Sequence, residues 1–284
     1  MASEKEPRLK RVYVEITNVC NLRCTFCPGT RREKRFLTPE QFRLLAGRLR
    51  PYVTYLYLHV MGEPLLHPQL EELLHIAGEM GFKVCLTTNG TLLDRCALPS
   101  GPPLHKVSVS LHCMEGNGAG ELGGYLSHVW DYAVRAAANG TICALRLWNI
   151  GGADRRNGEI LTFLAEKLGR HPLEMPRPRD GSWRLGERLY LEQAERFDWP
   201  DLSAPETDTK FCLGLREQIA VLADGTVVPC CLDHEGDIPL GNLLEQDLEE
   251  ILGAPRAQAI YQGFSQGKPA ENLCRRCGFA RRFG

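Results

Sequence analysis

Arg11-Val12-Tyr13-Val14-Glu15-Ile16 and, after Thr17-Asn18-Val19, the run Cys20-Asn21-Leu22-Arg23-Cys24-Thr25-Phe26-Cys27 decide the fold. The first six residues are rich in β-branched and aromatic side chains and read as a strand. The second run sets three thiols on the loop that leaves it. Loops at the carboxyl ends of strands are where α/β folds carry their chemistry, because the rigid sheet below fixes what the loop presents.

Working outward, residues 55–58, 82–86, 106–111 and 142–147 are further β-rich runs separated by helical patterns. Thr38-Pro39-Glu40-Gln41 combines a capping box with proline at the first helical position, and Phe42, Leu45 and Leu49 recur at helical spacing behind it. A second helix, opened by Pro68, buries Leu70, Leu73, Leu74 and Ala77 and closes at Gly81. Two more run over 125–138 and 159–168, ahead of Asn139-Gly140 and Gly169. Such alternation is the signature of βα units around a parallel sheet. Pro172, Pro176, Pro178 and Gly181 interrupt it ahead of Arg188-Leu189-Tyr190-Leu191, a sixth strand. About 200 residues precede Cys212, short of the roughly 250 of a full eight-unit barrel, so a six-unit partial barrel fits the arithmetic. Three segments follow: a tail over 1–10, the partial barrel over 11–200 and a small domain over 201–284. In the last, residues 218–222 and 226–228 flank Ala223-Asp224-Gly225, a hairpin signal.

The chain has 284 residues and 12 cysteines, with 34 Lys and Arg against 35 Asp and Glu for a net charge of −1. That balance gives no support to nucleic-acid binding. No apolar run reaches the roughly 18 residues of a membrane span, and the polar start Met1-Ala2-Ser3-Glu4-Lys5-Glu6 lacks a signal core, so no membrane contact and a cytoplasmic location are expected. In that compartment so many cysteines point to metal or redox chemistry rather than to a disulfide framework.

Three thiols, not four, is the informative count at 20–27. A three-thiolate [4Fe-4S] cube leaves one iron open to a small molecule, whereas a structural zinc or a saturated cluster asks for a fourth ligand nearby. A zinc site borrowing a distant ligand is the competing reading. After the strand at 55–58 comes His59-Val60-Met61-Gly62-Glu63-Pro64, in which Gly62 lets the backbone approach a ligand and Glu63 offers an acceptor to an ammonium group. Together these segments resemble the radical S-adenosylmethionine (SAM) superfamily. Its three-cysteine signature has the spacing of Cys20, Cys24 and Cys27, and its glycine-glycine-glutamate-proline segment, here with Met61 for the first glycine, contacts the methionine amino group of SAM. The resemblance implies an α/β fold, a partial (β/α)6 radical SAM barrel, in which Cys20, Cys24 and Cys27 hold the catalytic [4Fe-4S] cluster with its open iron. It also implies SAM contacts from Phe26, Gly62, Glu63, Pro64, Asn89, Ser110, Arg146 and Asn149. His112 stands where many relatives show an acidic residue.

Cys212, Cys230, Cys274 and Cys277 form a second set, with Cys274-Arg275-Arg276-Cys277 a compact chelating pair. Four thiols can close an iron-sulfur cluster and suit a zinc ribbon equally well. The stretch from Cys212 through Gly225-Thr226-Val227-Val228-Pro229-Cys230 to Leu240-Gly241-Asn242 resembles the SPASM and twitch domains appended to many radical SAM enzymes. With seven residues after Cys277, the cysteines of a second SPASM cluster are missing, so a twitch-like β-hairpin/helix domain with one auxiliary [4Fe-4S] cluster is expected. Spacing leaves Cys230 and Cys231 as alternatives for one ligand, and the interval from Gly225 favours Cys230. Cys85 and Cys143, alone within strands, read as small core residues.

The resemblance implies an enzyme that reductively cleaves SAM to a 5′-deoxyadenosyl radical and abstracts hydrogen from an unidentified peptide or small-molecule substrate. A low-potential donor such as flavodoxin or ferredoxin would supply the electron. Two alternatives stand beside it. A non-catalytic iron-sulfur protein for electron transfer or interaction leaves Gly62-Glu63-Pro64 without a task. An RNA-modifying radical SAM enzyme needs Arg31, Arg32, Lys34 and Arg35 to join Arg275, Arg276, Arg281 and Arg282 in one basic face. Gly116, Gly118, Gly120, Gly123 and Gly124 read as a mobile cover over the strand ends.

Overall fold

The computed structural model describes residues 9–96, 98–117, 121–152 and 154–283. Its organising strand is β1 (Arg11–Val14), from which one sheet grows in both directions. On one side follow β2 (Tyr55–Tyr57), β3 (Lys83–Thr88), β4 (Leu104–Ser110) and β5 (Ile142–Ile150), each parallel to the last. A hairpin of β6 (Ser182–Gly186) and β7 (Leu189–Glu195) completes that side, with β7 parallel to β5. The six parallel strands are those expected of a partial barrel, and β6 is an addition. On the other side of β1 the hairpin β8 (Gln218–Val221) and β9 (Thr226–Val228) and the short β10 (Gly241–Asn242) extend the same sheet to ten strands. β8 runs parallel to β1 from Arg11↔Gln218 to Val14↔Val221.

Helices α1 (Pro39–Leu49), α2 (Leu70–Glu79), α3 (Cys113–Gly116), α4 (Leu122–Ala138) and α5 (Asn157–Leu168) fill the crossovers. The capping box forms as read: Thr38 Oγ1 accepts from Gln41 N–H at 3.3 Å and Gln41 Oε1 from Thr38 N–H at 3.1 Å. α2 begins at Leu70, two residues beyond Pro68. Gly123 and Gly124 lie in the first turn of α4, where the Glu121 carboxylate accepts from Gly124 N–H, so they are helix and not cover. Gly118 and Gly120 lie outside the described residues. The C-terminal part adds α6 (Leu248–Gly253), α7 (Pro255–Ser265) and α8 (Asn272–Arg275).

Strand alternation sorts the side chains into two layers. Val12, Val14, Leu56, Val84, Val107 and Val109 face the helices and pack with Phe42, Leu45, Leu73 and Leu74 in one apolar core. Ile219 and Val221 of β8 join that core, so the C-terminal segment is packed into it. The opposite face of the sheet is polar, and it encloses the site.

Candidate active site

Tyr13, Tyr57, Thr87, Ser110, Arg146 and Glu192, each from a different parallel strand, line a cavity of about 510 Å³ on the concave face. Its other wall comes from the C-terminal part, with Cys231, Leu232 and Phe279. The loop carrying Cys20, Cys24 and Cys27 leaves β1 at the carboxyl rim, and its Phe26 reaches the cavity against His112, ring centroids 4.8 Å apart.

That loop is folded on itself and pinned. Cys27 N–H donates to the Cys24 carbonyl at 3.0 Å and Thr25 N–H to the Gly116 carbonyl at 2.9 Å. Gly116 has no space for a side chain, since a Cβ there would stand 2.7 Å from the Phe26 ring. Asn117, which sequence reading missed, is the organising residue. Its Nδ2 donates to Cys24 Sγ at 3.0 Å and to the Cys113 carbonyl at 2.7 Å, and its Oδ1 accepts from Arg23 N–H at 2.8 Å. Burial pushes the Cys24 thiol up to about 11, and Cys20 and Cys27 shift the same way. Thiols held so ionise when a metal takes up their charge.

Gly62 sits at φ +80°, and a Cβ there would stand 2.5 Å from the Thr17 carbonyl oxygen, so the position needs glycine for both reasons. Glu63 N–H donates to the Val19 carbonyl at 2.8 Å, which fixes this turn to the base of the thiol loop. The Glu63 carboxylate is buried, 1% exposed, and accepts from Leu65 N–H at 3.0 Å, Thr88 Oγ1 at 2.7 Å and Asn89 N–H at 2.7 Å. It therefore clamps the end of β3 to the turn that Pro64 begins, with most of its acceptor capacity engaged inside the protein. Asn89 faces the thiol loop, donating to Asn21 Oδ1 at 2.9 Å.

The remaining rim positions diverge. Ser110 lines the cavity. Arg146 lies 4.4 Å from the Trp148 ring centroid, and its Nε donates to Glu192 at 3.1 Å. Asn149 is buried and exchanges amide hydrogen bonds with Asn157 at 3.0 and 3.1 Å. Sequence reading also missed Glu192 and Lys106, whose strands carried no motif, and Arg179, just ahead of β6. Of the two basic runs, Arg31, Arg32 and Arg35 pair with Glu235, Glu15 and Glu33, while Arg275 and Arg276 pair with Glu206. No single free basic face results from these pairings.

Cys212, Cys230, Cys274 and Cys277 line a second, smaller pocket together with Ile238, Phe264 and Leu273. Cys230 is thus grouped with the quartet, whereas Cys231 faces the large cavity and hydrogen-bonds to Tyr13. Burial raises the thiols of Cys212, Cys230, Cys274 and Cys277, and neighbouring thiols raise those of Cys230, Cys274 and Cys277 further, as expected of a pocket built for a metal's positive charge. Among the described residues no three His, Cys, Asp or Glu side chains converge on a single-ion site.

Comparison with known proteins agrees with this geometry. Residues 14–114 match the radical SAM superfamily and residues 212–278 match an iron-sulfur cluster-binding domain, SPASM. The chain thus carries a radical SAM region followed by a SPASM iron-sulfur cluster-binding region. Among curated relatives, GTP 3′,8-cyclase of Chlorobaculum tepidum is 40% identical over 92 residues, 30% of this chain and 27% of that protein. Fe-coproporphyrin III synthase of Methanosarcina barkeri is 34% identical over 87 residues, 30% of this chain and 22% of that one. The matches to the first two curated relatives span only 27% and 36% of their lengths. Among solved structures, Streptococcus suis SuiB bound to S-adenosylmethionine superposes with a TM-score of 0.61 at 16% identity, covering 95% of this chain and 72% of that one. BtrN in complex with AdoMet and 2-DOIA gives 0.59 at 15% identity, covering 96% and 94%. No helix among the described residues is long and apolar enough to cross a membrane.

Proposed function

We propose that this protein is a radical SAM enzyme acting on a small molecule or a peptide side chain admitted to the large cavity, with residues 11–200 as the catalytic partial barrel and 201–284 as an auxiliary-cluster domain. The observation that carries the reading is the thiol loop standing at the carboxyl rim of six parallel strands, directly over that cavity. Cys20, Cys24 and Cys27 would hold the catalytic [4Fe-4S] cluster and Cys212, Cys230, Cys274 and Cys277 the auxiliary one. When bound, cluster and SAM supply reductive cleavage of the sulfonium carbon–sulfur bond and a 5′-deoxyadenosyl radical that takes hydrogen from the substrate.

The chain's own part is positioning. Asn117 holds Cys24, Glu63 locks the turn of Gly62 and Pro64 to Asn89, and Phe26, His112 and Trp148 keep water from the reacting groups. Ser110 and Arg146 are placed to contact SAM from the cavity side, whereas Asn149 would act by setting the β5 end through Asn157. The structural likeness to SuiB bound to precursor peptide SuiA motivates a peptide substrate, and the likeness to BtrN with 2-DOIA a small one. A flavodoxin- or ferredoxin-like donor would deliver the electron.

The test is an anaerobic incubation of reconstituted protein with SAM and a strong reductant, beside a Cys20→Ala, Cys24→Ala, Cys27→Ala variant. Formation of 5′-deoxyadenosine by the parent alone, with about eight irons per chain, is expected. Full iron content without any 5′-deoxyadenosine would overturn the catalytic reading in favour of electron transfer.

A further inference from the structure

The large cavity carries one carboxylate among its lining residues, and that carboxylate serves three cations. Glu192 Oε1 accepts from Lys106 Nζ at 2.8 Å and from an Arg179 Nη at 2.7 Å, and Oε2 accepts from Arg146 Nε at 3.1 Å. Glu192 is 5% exposed, and Lys106 and Arg146 are mostly buried beside it while Arg179 reaches it from a largely exposed position, so three positive charges meet one negative, a surplus of +2. Arg11 and Arg196 line the same cavity and make no ion pair among the described residues, which raises the surplus to +4. His59 adds a buried ring nitrogen, Nδ1, with no hydrogen-bond partner in the structure. Like charges gathered out of water repel one another more than they do in bulk solvent. The arrangement is complete only when a second anion enters.

We propose that the inner wall formed by Arg11, Lys106, Arg146 and Arg179 around Glu192 is the seat of a substrate oxyanion, a carboxylate or a phosphate. This deepens the function proposed above, since it names the chemistry of the substrate for that same cavity. Fork-shaped guanidinium groups suit both anions, and Trp148 beneath Arg146 holds one such plane in place. Lys106 and Arg11 are rooted below the rim that carries the thiol loop, while Arg146 and Glu192 stand in register with the rim residue Ser110. Lys106 lies four residues before the rim residue Ser110 on β4, about 13 Å at the rise of a strand, and Arg11 is the first residue of β1, about 10 Å below Val14. The seat therefore reaches from the lower part of the strands up to the rim, and the measurement with SAM bound separates it from the place of SAM's own carboxylate. Glu192 keeps the cations oriented when the substrate is absent.

The experiment is thermal unfolding of the reconstituted holoprotein in inorganic pyrophosphate or citrate, with sodium chloride matched for ionic strength, each with and without saturating SAM. A ligand that binds only the folded state raises the midpoint. A rise beyond that in sodium chloride is expected, persisting with SAM bound, and its half-maximal anion concentration should increase about tenfold or more in Lys106→Met and Arg179→Met. Arg11→Met, which breaks no ion pair, should show the same loss if either of those variants fails to fold. A rise in pyrophosphate alone assigns a phosphate, and a rise in citrate alone a carboxylate. No rise beyond sodium chloride, an equal rise in all variants, or a rise abolished by SAM would overturn the proposal. Assaying 5′-deoxyadenosine in the same preparation tests the radical reading separately, because anion binding can be present whether or not SAM is cleaved.

Discussion

At the scale of single residues, the site depends on groups that fix other groups. Asn117 donates to Cys24 Sγ, and hydrogen bonds to a cluster's sulfurs raise its reduction potential by stabilising the more negative reduced state. Asn117→Asp keeps the shape, loses the donor and adds a negative charge, so the rim cluster's midpoint should fall by some tens of millivolts, with about 59 mV corresponding to a factor of ten. Redox titration followed by electron paramagnetic resonance reads this directly, and an unchanged midpoint would remove Asn117 from the machinery. Gly62→Ala combines a left-handed backbone with a Cβ 2.5 Å from a carbonyl oxygen, and should cost about 2–5 kcal/mol in urea unfolding. His59 supplies a pH signature. Burial, with Arg146 nearby, lowers its pKa to about 3, so the folded state holds the neutral ring while the unfolded chain protonates near 6.5. The unfolded state thus binds more protons across that window. Stability should decline by up to about 1.4 kcal/mol per pH unit as pH falls from 6.5 towards 3. His59→Phe, which keeps a ring against Tyr13 and Tyr57, should flatten that decline when unfolding midpoints at pH 7 and pH 5 are compared.

At the scale of elements, one buried ion pair ties four of them together. Glu15, 0% exposed, follows β1 and takes both guanidinium nitrogens of Arg32, at 2.8 and 2.6 Å, together with Met61 N–H at 3.1 Å and Ala223 N–H at 3.0 Å. Arg32 Nε in turn donates to the His234 carbonyl at 2.8 Å. The strand, the thiol loop, the Gly62 turn and the C-terminal hairpin therefore share one polar junction. Arg32→Met leaves Glu15 charged and without its cation, which should cost about 3–5 kcal/mol, whereas Arg31→Met, whose side chain is 91% exposed, should stay within about 0.5 kcal/mol. Comparable urea midpoints for the two variants would refute the junction's importance. The strand β6 shows why some elements escape sequence reading. Its turn into β7 places Arg188, not glycine, at φ +56°, so no turn residue marked a hairpin there.

At the scale of the molecule, the C-terminal part is both a wall of the active-site cavity and the neighbour of β1. A chain ended at residue 200 would leave β1 as an open edge and strip the core of Ile219 and Val221. Such a chain should aggregate on size-exclusion chromatography and melt without a cooperative transition. A soluble, cooperatively folding 1–200 fragment would show instead that the two parts fold independently.

The sequence by itself determined the six parallel strands, the thiol loop and the Gly62-Glu63-Pro64 turn, because each is written locally, in periodicity, caps or spacing. It left Cys230 and Cys231 undivided, since neighbours in a strand-end loop differ only in the direction they face. Tertiary structure sends Cys230 to the quartet and Cys231 to the large cavity. Asn117 on Cys24, Glu15 beneath Met61 and Ala223, and Lys106 and Arg146 on Glu192 join residues from 46 to 208 positions apart. No local pattern encodes such partners, because charge and hydrogen-bond satisfaction are settled only when the sheet curls and brings opposite strands to one cavity.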